Sequence, residues 1–259
     1  MPEATLPHPQ GTPCWIDLAA DPQAAALDFY RRLFGWSGEP GPAEYGGYAV
    51  MEVGGRPVAG IMQAMAGQPA STSVWTVYFA VEDIAASAAK VGEHGGNVFM
   101  GPQDVPGSGV MAMALDPEGA VFGLWQPQPF TGIGVIAESG APCWFELEST
   151  AGEAAAAFYA GVFGTEAVAA EAMPGEYWLL QVGGRQVAGI WNASGDRAAG
   201  APHWQTYLQV EDTDATLERA TAAGAKVLRA AADTPFGRFA ILADPFGAQF
   251  AVMGVPAAS

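Results

Sequence analysis

Pro13-Cys14-Trp15-Ile16-Asp17-Leu18 and Pro142-Cys143-Trp144-Phe145-Glu146-Leu147 are two copies of one segment, set 129 positions apart (Cys14 to Cys143). The same spacing returns Phe29-Tyr30 and Leu33-Phe34-Gly35 as Phe158-Tyr159 and Val162-Phe163-Gly164. Val53 to Ile61 returns as Val182 to Ile190, with Gln186 for Pro57. Trp75 and Val81-Glu82-Asp83 return as Trp204 and Val210-Glu211-Asp212. Asp116-Pro117-Glu118-Gly119-Ala120 returns as Asp244-Pro245-Phe246-Gly247-Ala248, one position early. A steady offset over a whole chain is the mark of duplication, and each copy is the unit to be folded. The expected division is a domain over 11–127, a Pro- and Gly-containing linker over 128–140, and a second domain over 141–255.

Within each copy the pattern divides again. Trp15 to Leu18 alternates as a strand does. Pro22 to Phe34 reads as a helix, with Asp21 as its cap, Pro22 in its first turn and Gly35 past its end. Tyr48 to Val53 and Pro57 to Gln63 read as strands around a Gly-Gly turn. The order repeats from Trp75: a strand over 74–81, a helix over 83–92, then strands near 97–100, 109–115 and 120–126. Each half is therefore a pair of βαβββ modules, and the fold class is α+β.

Composition narrows the function. A chain of 259 residues suits two domains of ordinary size, and half of its residues are apolar. The formal net charge is −17, with only 10 lysines and arginines, so phosphate backbones and anionic membranes are repelled. No nucleic-acid or membrane partner is expected. Cys14 and Cys143 make neither a disulfide framework nor a zinc site. Met1 to Gly11 lacks the basic and apolar regions of a signal peptide, and no apolar run approaches the ~20 residues that span a bilayer. The expected location is the cytoplasm, and the Ala- and Gly-rich, Lys-poor composition fits a high-GC bacterium.

Phe29-Tyr30-x-x-Leu33-Phe34-Gly35-Trp36 and Asp116-Pro117-x-Gly119, which return in the second half in the same order with Val162 for Leu33 and Thr165 for Trp36, resemble the vicinal oxygen chelate superfamily of glyoxalases, bleomycin-resistance proteins and dioxygenases. The resemblance covers nearly all of the chain outside the termini and linker. It implies two glyoxalase-like domains, each a pair of βαβββ modules curled into a half-open barrel around a cavity. Metal-dependent members ligate Fe, Mn, Ni or Zn through His, Glu or Gln on the first strand of a module and Glu on its last. The eight matching positions here are Trp15, Gly60, Thr76, Gly123, Trp144, Gly189, Gln205 and Ala251. Of these only Gln205 carries a donor suited to a metal, so the resemblance implies no metal site and no cofactor in this chain. Indole and glycine in those places suggest a space cleared for a flat apolar ligand.

Strand alternation turns Trp15, Asp17, Thr76 and Tyr78 toward the cavity of the first half, and Trp144, Glu146, Gln205 and Tyr207 toward that of the second. Trp15 and Trp144 suit stacking on a ligand or plain core packing. Tyr78 and Tyr207 suit donation to a ligand carbonyl or a satisfied core hydroxyl. Asp17 and Glu146 are acid–base candidates if burial raises their pKa, and structural hydrogen-bond partners otherwise. His203, on a core strand, is a further candidate for proton transfer or a strand-start structural residue. The first functional expectation is metal-independent binding of a small apolar or aromatic ligand by Trp15, Thr76, Tyr78, Trp144, Gln205 and Tyr207, in an antibiotic or natural-product setting. The second is a metal-independent acid–base enzyme of isomerase or lyase type, or a glyoxalase- or hydroxylase-like enzyme of the superfamily, using Asp17 or Glu146 with Tyr78, Tyr207 or His203 as acid–base partners. The third is an interaction protein without a ligand. Single-domain relatives dimerise to complete their cavities; a tandem chain does so as a monomer or builds a homodimer.

Overall fold

The structure is a computed structural model that describes residues 6–64, 73–173, 175–193 and 200–255. The first half runs β1 (Pro13–Ala20), α1 (Gln23–Phe34), β2 (Ala49–Val53), β3 (Arg56–Gln63), β4 (Trp75–Ala80), α2 (Ile84–Glu93), β5 (Asn97–Val105), β6 (Gly109–Leu115) and β7 (Val121–Pro127). The second runs β8 (Pro142–Ser149), α3 (Gly152–Phe163), β9 (Glu166–Ala169), β10 (Tyr177–Val182), β11 (Arg185–Asn192), β12 (His203–Val210), α4 (Thr213–Ala222), β13 (Lys226–Thr234), β14 (Gly237–Ala243) and β15 (Gln249–Gly254). The first sheet has the order β2-β3-β1-β4-β7-β6-β5 and the second β13-β14-β15-β12-β8-β11-β10-β9. Both are open sheets, two α+β units of paired glyoxalase-like modules.

The central strands of each sheet decide what meets in the cup. β1 and β4 run antiparallel, with Trp15 opposite Tyr78 and Asp17 opposite Thr76. β3 lies parallel to β1 and sets Gly60 beside Asp17, and β7 sets Gly123 beside Tyr78. The second sheet repeats this: Trp144 faces Tyr207, Glu146 faces Gln205, Gly189 lies beside Glu146, and Ala251 beside Tyr207.

Local details depart from the sequence reading. The cap of α1 is Pro22 rather than Asp21, because Pro22 is extended (φ −83°, ψ 138°) and the helix opens one residue later. Asp21 instead accepts a hydrogen bond from the Gln63 amide at 3.0 Å. Gly35 closes α1 with a left-handed φ of 71°, a conformation that costs glycine nothing. Asp83 is the cap of α2, its carboxylate accepting from the Ala86 N–H at 3.0 Å, so that helix starts at Ile84. β5 continues to Val105, well past 100. The βαβββ pattern is incomplete in one module. After α1 only the isolated bridges Ser37–Glu52 and Pro40–Ala49 form, where the second half has the whole strand β9. Gly38, Pro40, Gly41 and Pro42 interrupt the first copy, whereas Glu166 to Ala169 can pair continuously.

The two sheets turn their helix-covered faces toward one another. Phe79 of β4 meets Trp204 of β12 with ring centroids 5.0 Å apart, and Phe29 of α1 reaches Phe250 of β15 at 6.3 Å. One continuous apolar core, including Ile16, Leu18, Phe122, Leu147 and Val252, spans both halves. The cups therefore face outward on opposite sides. Two reciprocal locks join the halves across this core. The Tyr30 hydroxyl donates to Asp244 at 2.9 Å and accepts from the Trp75 indole at 3.0 Å. The Tyr159 hydroxyl donates to Asp116 at 3.1 Å and accepts from Trp204 at 2.9 Å. No helix among the described residues is long and apolar enough to cross a membrane.

Candidate functional site

Each cup holds one carboxylate clasped by two phenols. In the first, Asp17 accepts from Tyr78 at 3.0 Å and from Tyr48 at 3.3 Å, and the Trp15 indole donates to the Tyr48 hydroxyl at 2.7 Å. In the second, Glu146 accepts from Tyr177 at 2.7 Å and Tyr207 at 2.9 Å, and the Trp144 indole donates to Tyr177 at 3.0 Å. Burial pushes the Asp17 carboxyl up to about 7, against the opposing pull of its Tyr78 and Tyr48 hydrogen bonds. Burial likewise raises Glu146; its tyrosines and Arg229 pull it back, and Glu148 pushes it further up. Burial also raises both cysteine thiols, Cys143 to about 12, so neither is a poised nucleophile.

Tyr48 and Tyr177 are absent from the sequence-derived site. A signal for them existed, since they stand at the repeat spacing of each other. They change the meaning of the glycines. A Cβ on Gly60 would lie 1.9 Å from the Tyr48 hydroxyl, and one on Gly189 would lie 1.9 Å from that of Tyr177. A Cβ on Gly123 would lie 2.0 Å from the Tyr78 ring. The room left by glycine is taken by the chain's own tyrosines, not reserved for a ligand.

The cups differ in closure. Phe130, from the segment between the halves, stands edge-on to Trp15 with centroids 4.9 Å apart, and its carbonyl accepts from the Trp125 indole at 3.0 Å. Asp17, Trp15 and Tyr78 are buried, and Thr76 is half-buried. In the second cup, Trp144 and Glu146 are half-buried. A small apolar cluster of Tyr207, Phe239, Ile241 and Ala251 forms its floor, with Met253 against it. The Arg229 guanidinium lies 4.8 Å from the Phe239 ring centre and 5.8 Å from that of Trp191, across the mouth.

The candidates named from sequence do not form one constellation. Asp17 belongs to the first cup, whereas Glu146, Gln205, Tyr207 and His203 belong to the second. His203 stands opposite Glu148, one cup-facing row away from the Glu146–Gln205 pair. A broad surface depression of about 600 Å³ lies elsewhere, at the start of α3, between Gly152, Glu153, Trp178 and Asn192. It touches neither carboxylate cluster, and the convergence of paired polar groups weighs more than its size.

The chain belongs to the glyoxalase/bleomycin resistance protein/dioxygenase superfamily. Residues 14–124 match the model of that superfamily and residues 144–253 match that of the glyoxalase-like domain. "Putative glyoxylase CFP32" of Mycobacterium tuberculosis is 39% identical over 250 residues, covering 94% of this chain and 95% of that protein. The anthracycline biosynthesis protein DnrV of Streptomyces peucetius is 37% identical over 272 residues, 96% of each chain. Among solved structures, the Mn(II)-bound glyoxalase of Novosphingobium aromaticivorans shares the fold at TM-score 0.63 and 15% identity, over 94% of this chain and 82% of that one.

The superfamily's metal does not fit the residues present. The eight aligned positions offer one amide, one hydroxyl, two indoles and four residues without a donor. Tyrosines occupy the space where glutamates from the positions of Gly60 and Gly189 would reach. Among the described residues no three His, Cys, Asp or Glu side chains converge. A divalent ion needs about three such ligands.

Proposed function

We propose that the chain binds a small planar ligand in its second cup without a metal ion, and that the first cup is a closed structural copy. The difference in closure carries this reading. Asp17 is buried and Phe130 packs on Trp15 of the same cup, while Glu146 and Trp144 are only half-buried. Trp144, Trp191, Phe239 and Tyr207 offer flat apolar walls, and Glu146 with its tyrosines offers the polar anchor, the usual mixture in a small-molecule site. The names of the Streptomyces relatives support a flat aromatic natural product as the ligand. The shared core, which already pairs the halves inside one chain, supports a monomer.

A second reading is favoured by one observation. Glu146 has a raised pKa and is only half-buried, which suits proton transfer next to a ligand carbonyl. Native mass spectrometry of the protein purified from its own host, compared with its denatured mass, tests both. The expected result is a metal-free chain carrying an unchanged organic adduct that Trp144→Ala releases. A stoichiometric metal sinks the metal-free reading. An adduct that is chemically altered, and altered only when Glu146 is not Gln, moves the protein to the acid–base enzymes.

A further inference from the structure

We propose that the second cup selects planar ligands that carry a hydroxyl donor, received by His203 Nε2 or Gln205 Oε1. The inference rests on the second cup being the binding site. His203 Nδ1 lies 3.0 Å from the Ala201 carbonyl oxygen. A carbonyl only accepts, so in the neutral ring Nδ1 holds the hydrogen and Nε2 is left as a bare acceptor. That Nε2 is buried and has no partner among the described residues. Gln205 is 1% exposed and donates its amide N–H to the Thr206 carbonyl at 3.2 Å. Its Oε1 is likewise buried and unpartnered among the described residues.

The two acceptors are two residues apart on β12, so they share one face of the sheet. It is the cup face, because Gln205 stands opposite Glu146 and the next residue in that row, Tyr207, donates to Glu146. Buried acceptors are nearly always paired, and one left alone is destabilising. Two on one wall therefore point to a donor that arrives with the ligand. Packing does not require them: at the same strand positions the first half has Val74 and Thr76. A phenolic or enolic hydroxyl supplies a hydrogen to one of them, and the corresponding ether cannot. A void of about 10 Å³ between Glu148, Ala201 and Pro202 adjoins the strand start, so an internal water is the rival donor.

Equilibrium dialysis of the full chain with 2-naphthol and with 2-methoxynaphthalene decides between them. These probes share the naphthalene ring; the ether lacks the donor and adds one methyl group, so the side-chain variants separate donor from bulk. The expected result is roughly ten-fold tighter binding of 2-naphthol, the worth of one net hydrogen bond. In the double variant His203→Val, Gln205→Thr, which installs the first half's residues, the ratio should fall to about one. The two single variants serve if the double variant does not fold by circular dichroism. Equal binding of both probes to the native chain overturns the selection and leaves the aromatic cup standing. A preference that survives in the variants shows that other groups receive the hydroxyl. If neither probe binds, the ligand-binding reading falls with it.

Discussion

Asp17 is the residue at which burial and hydrogen bonding compete most plainly. Two phenols donate to it, yet desolvation outweighs them and its carboxyl rises from 3.8 to about 7. The sign of the resulting pH dependence follows. Below about pH 4 the group is protonated in the folded and unfolded chain alike, and its contribution is fully present. As pH climbs toward the folded value, the unfolded chain gives up its proton first, and folded stability drops. Between pH 5 and pH 8 this single group should cost roughly 2–4 kcal/mol. Urea unfolding at those two pH values should show a smaller loss in Asp17→Asn, whose amide still accepts from Tyr78. An identical pH loss in the variant would show that Asp17 is ionised throughout. Residue identity at Asp17 and Glu146 was visible in the sequence as a carboxylate amid apolar neighbours. Their tyrosine clasps were not, because Tyr48 and Tyr177 lie 31 residues downstream and meet them only through the sheet.

At the scale of elements, the connection between β7 and β8 does more than join domains. Its Phe130 ring covers the first cup and packs on Trp15 and Trp125. Ile133 donates its N–H to the Cys14 carbonyl at 2.7 Å, and the His8 ring contacts the Ile133 carbonyl at 2.9 Å. A Pro- and Gly-containing stretch reads as a spacer from sequence, and nothing local says that one phenylalanine in it faces inward. Phe130→Ala should lower stability by about 2 kcal/mol, less than the loss for a fully buried ring. It should also raise acrylamide quenching of tryptophan emission, since Trp15 and Trp125 lose their cover. Unchanged quenching would mean that the first cup is sealed by something else. The second half has no equivalent cover among the described residues, and this difference, not any motif, singles out its cup.

At the scale of the whole molecule, the two copies of the repeat share one core. The Tyr30–Asp244 and Tyr159–Asp116 bonds cross between the halves, and Phe79 packs directly on Trp204. The aspartates belong to the closing turns, where the same carboxylates also accept turn N–H groups such as those of Ala120 and Ala248. Tyr30→Phe removes the donor to Asp244 and the acceptor for Trp75 and should cost about 1–3 kcal/mol. Scanning calorimetry should show a single transition that moves as a whole in this variant. Two resolved transitions, only one of them shifted, would mean that the halves unfold independently.

The duplication, the α+β modules, the family and the lack of a sufficient set of metal donors at the aligned positions were all determined by the sequence alone. Each of these depends on local periodicity or on residue type at a repeated place, and both are written along the chain. The tertiary structure decided the rest: that glycines at the old ligand positions admit tyrosines, that Phe130 closes one cup, that the motif tyrosines lock the opposite half, and that His203 and Gln205 share a wall. Those facts depend on which side chains meet after the sheets curl and pair. Residues far apart in sequence meet there, and no spacing rule encodes it.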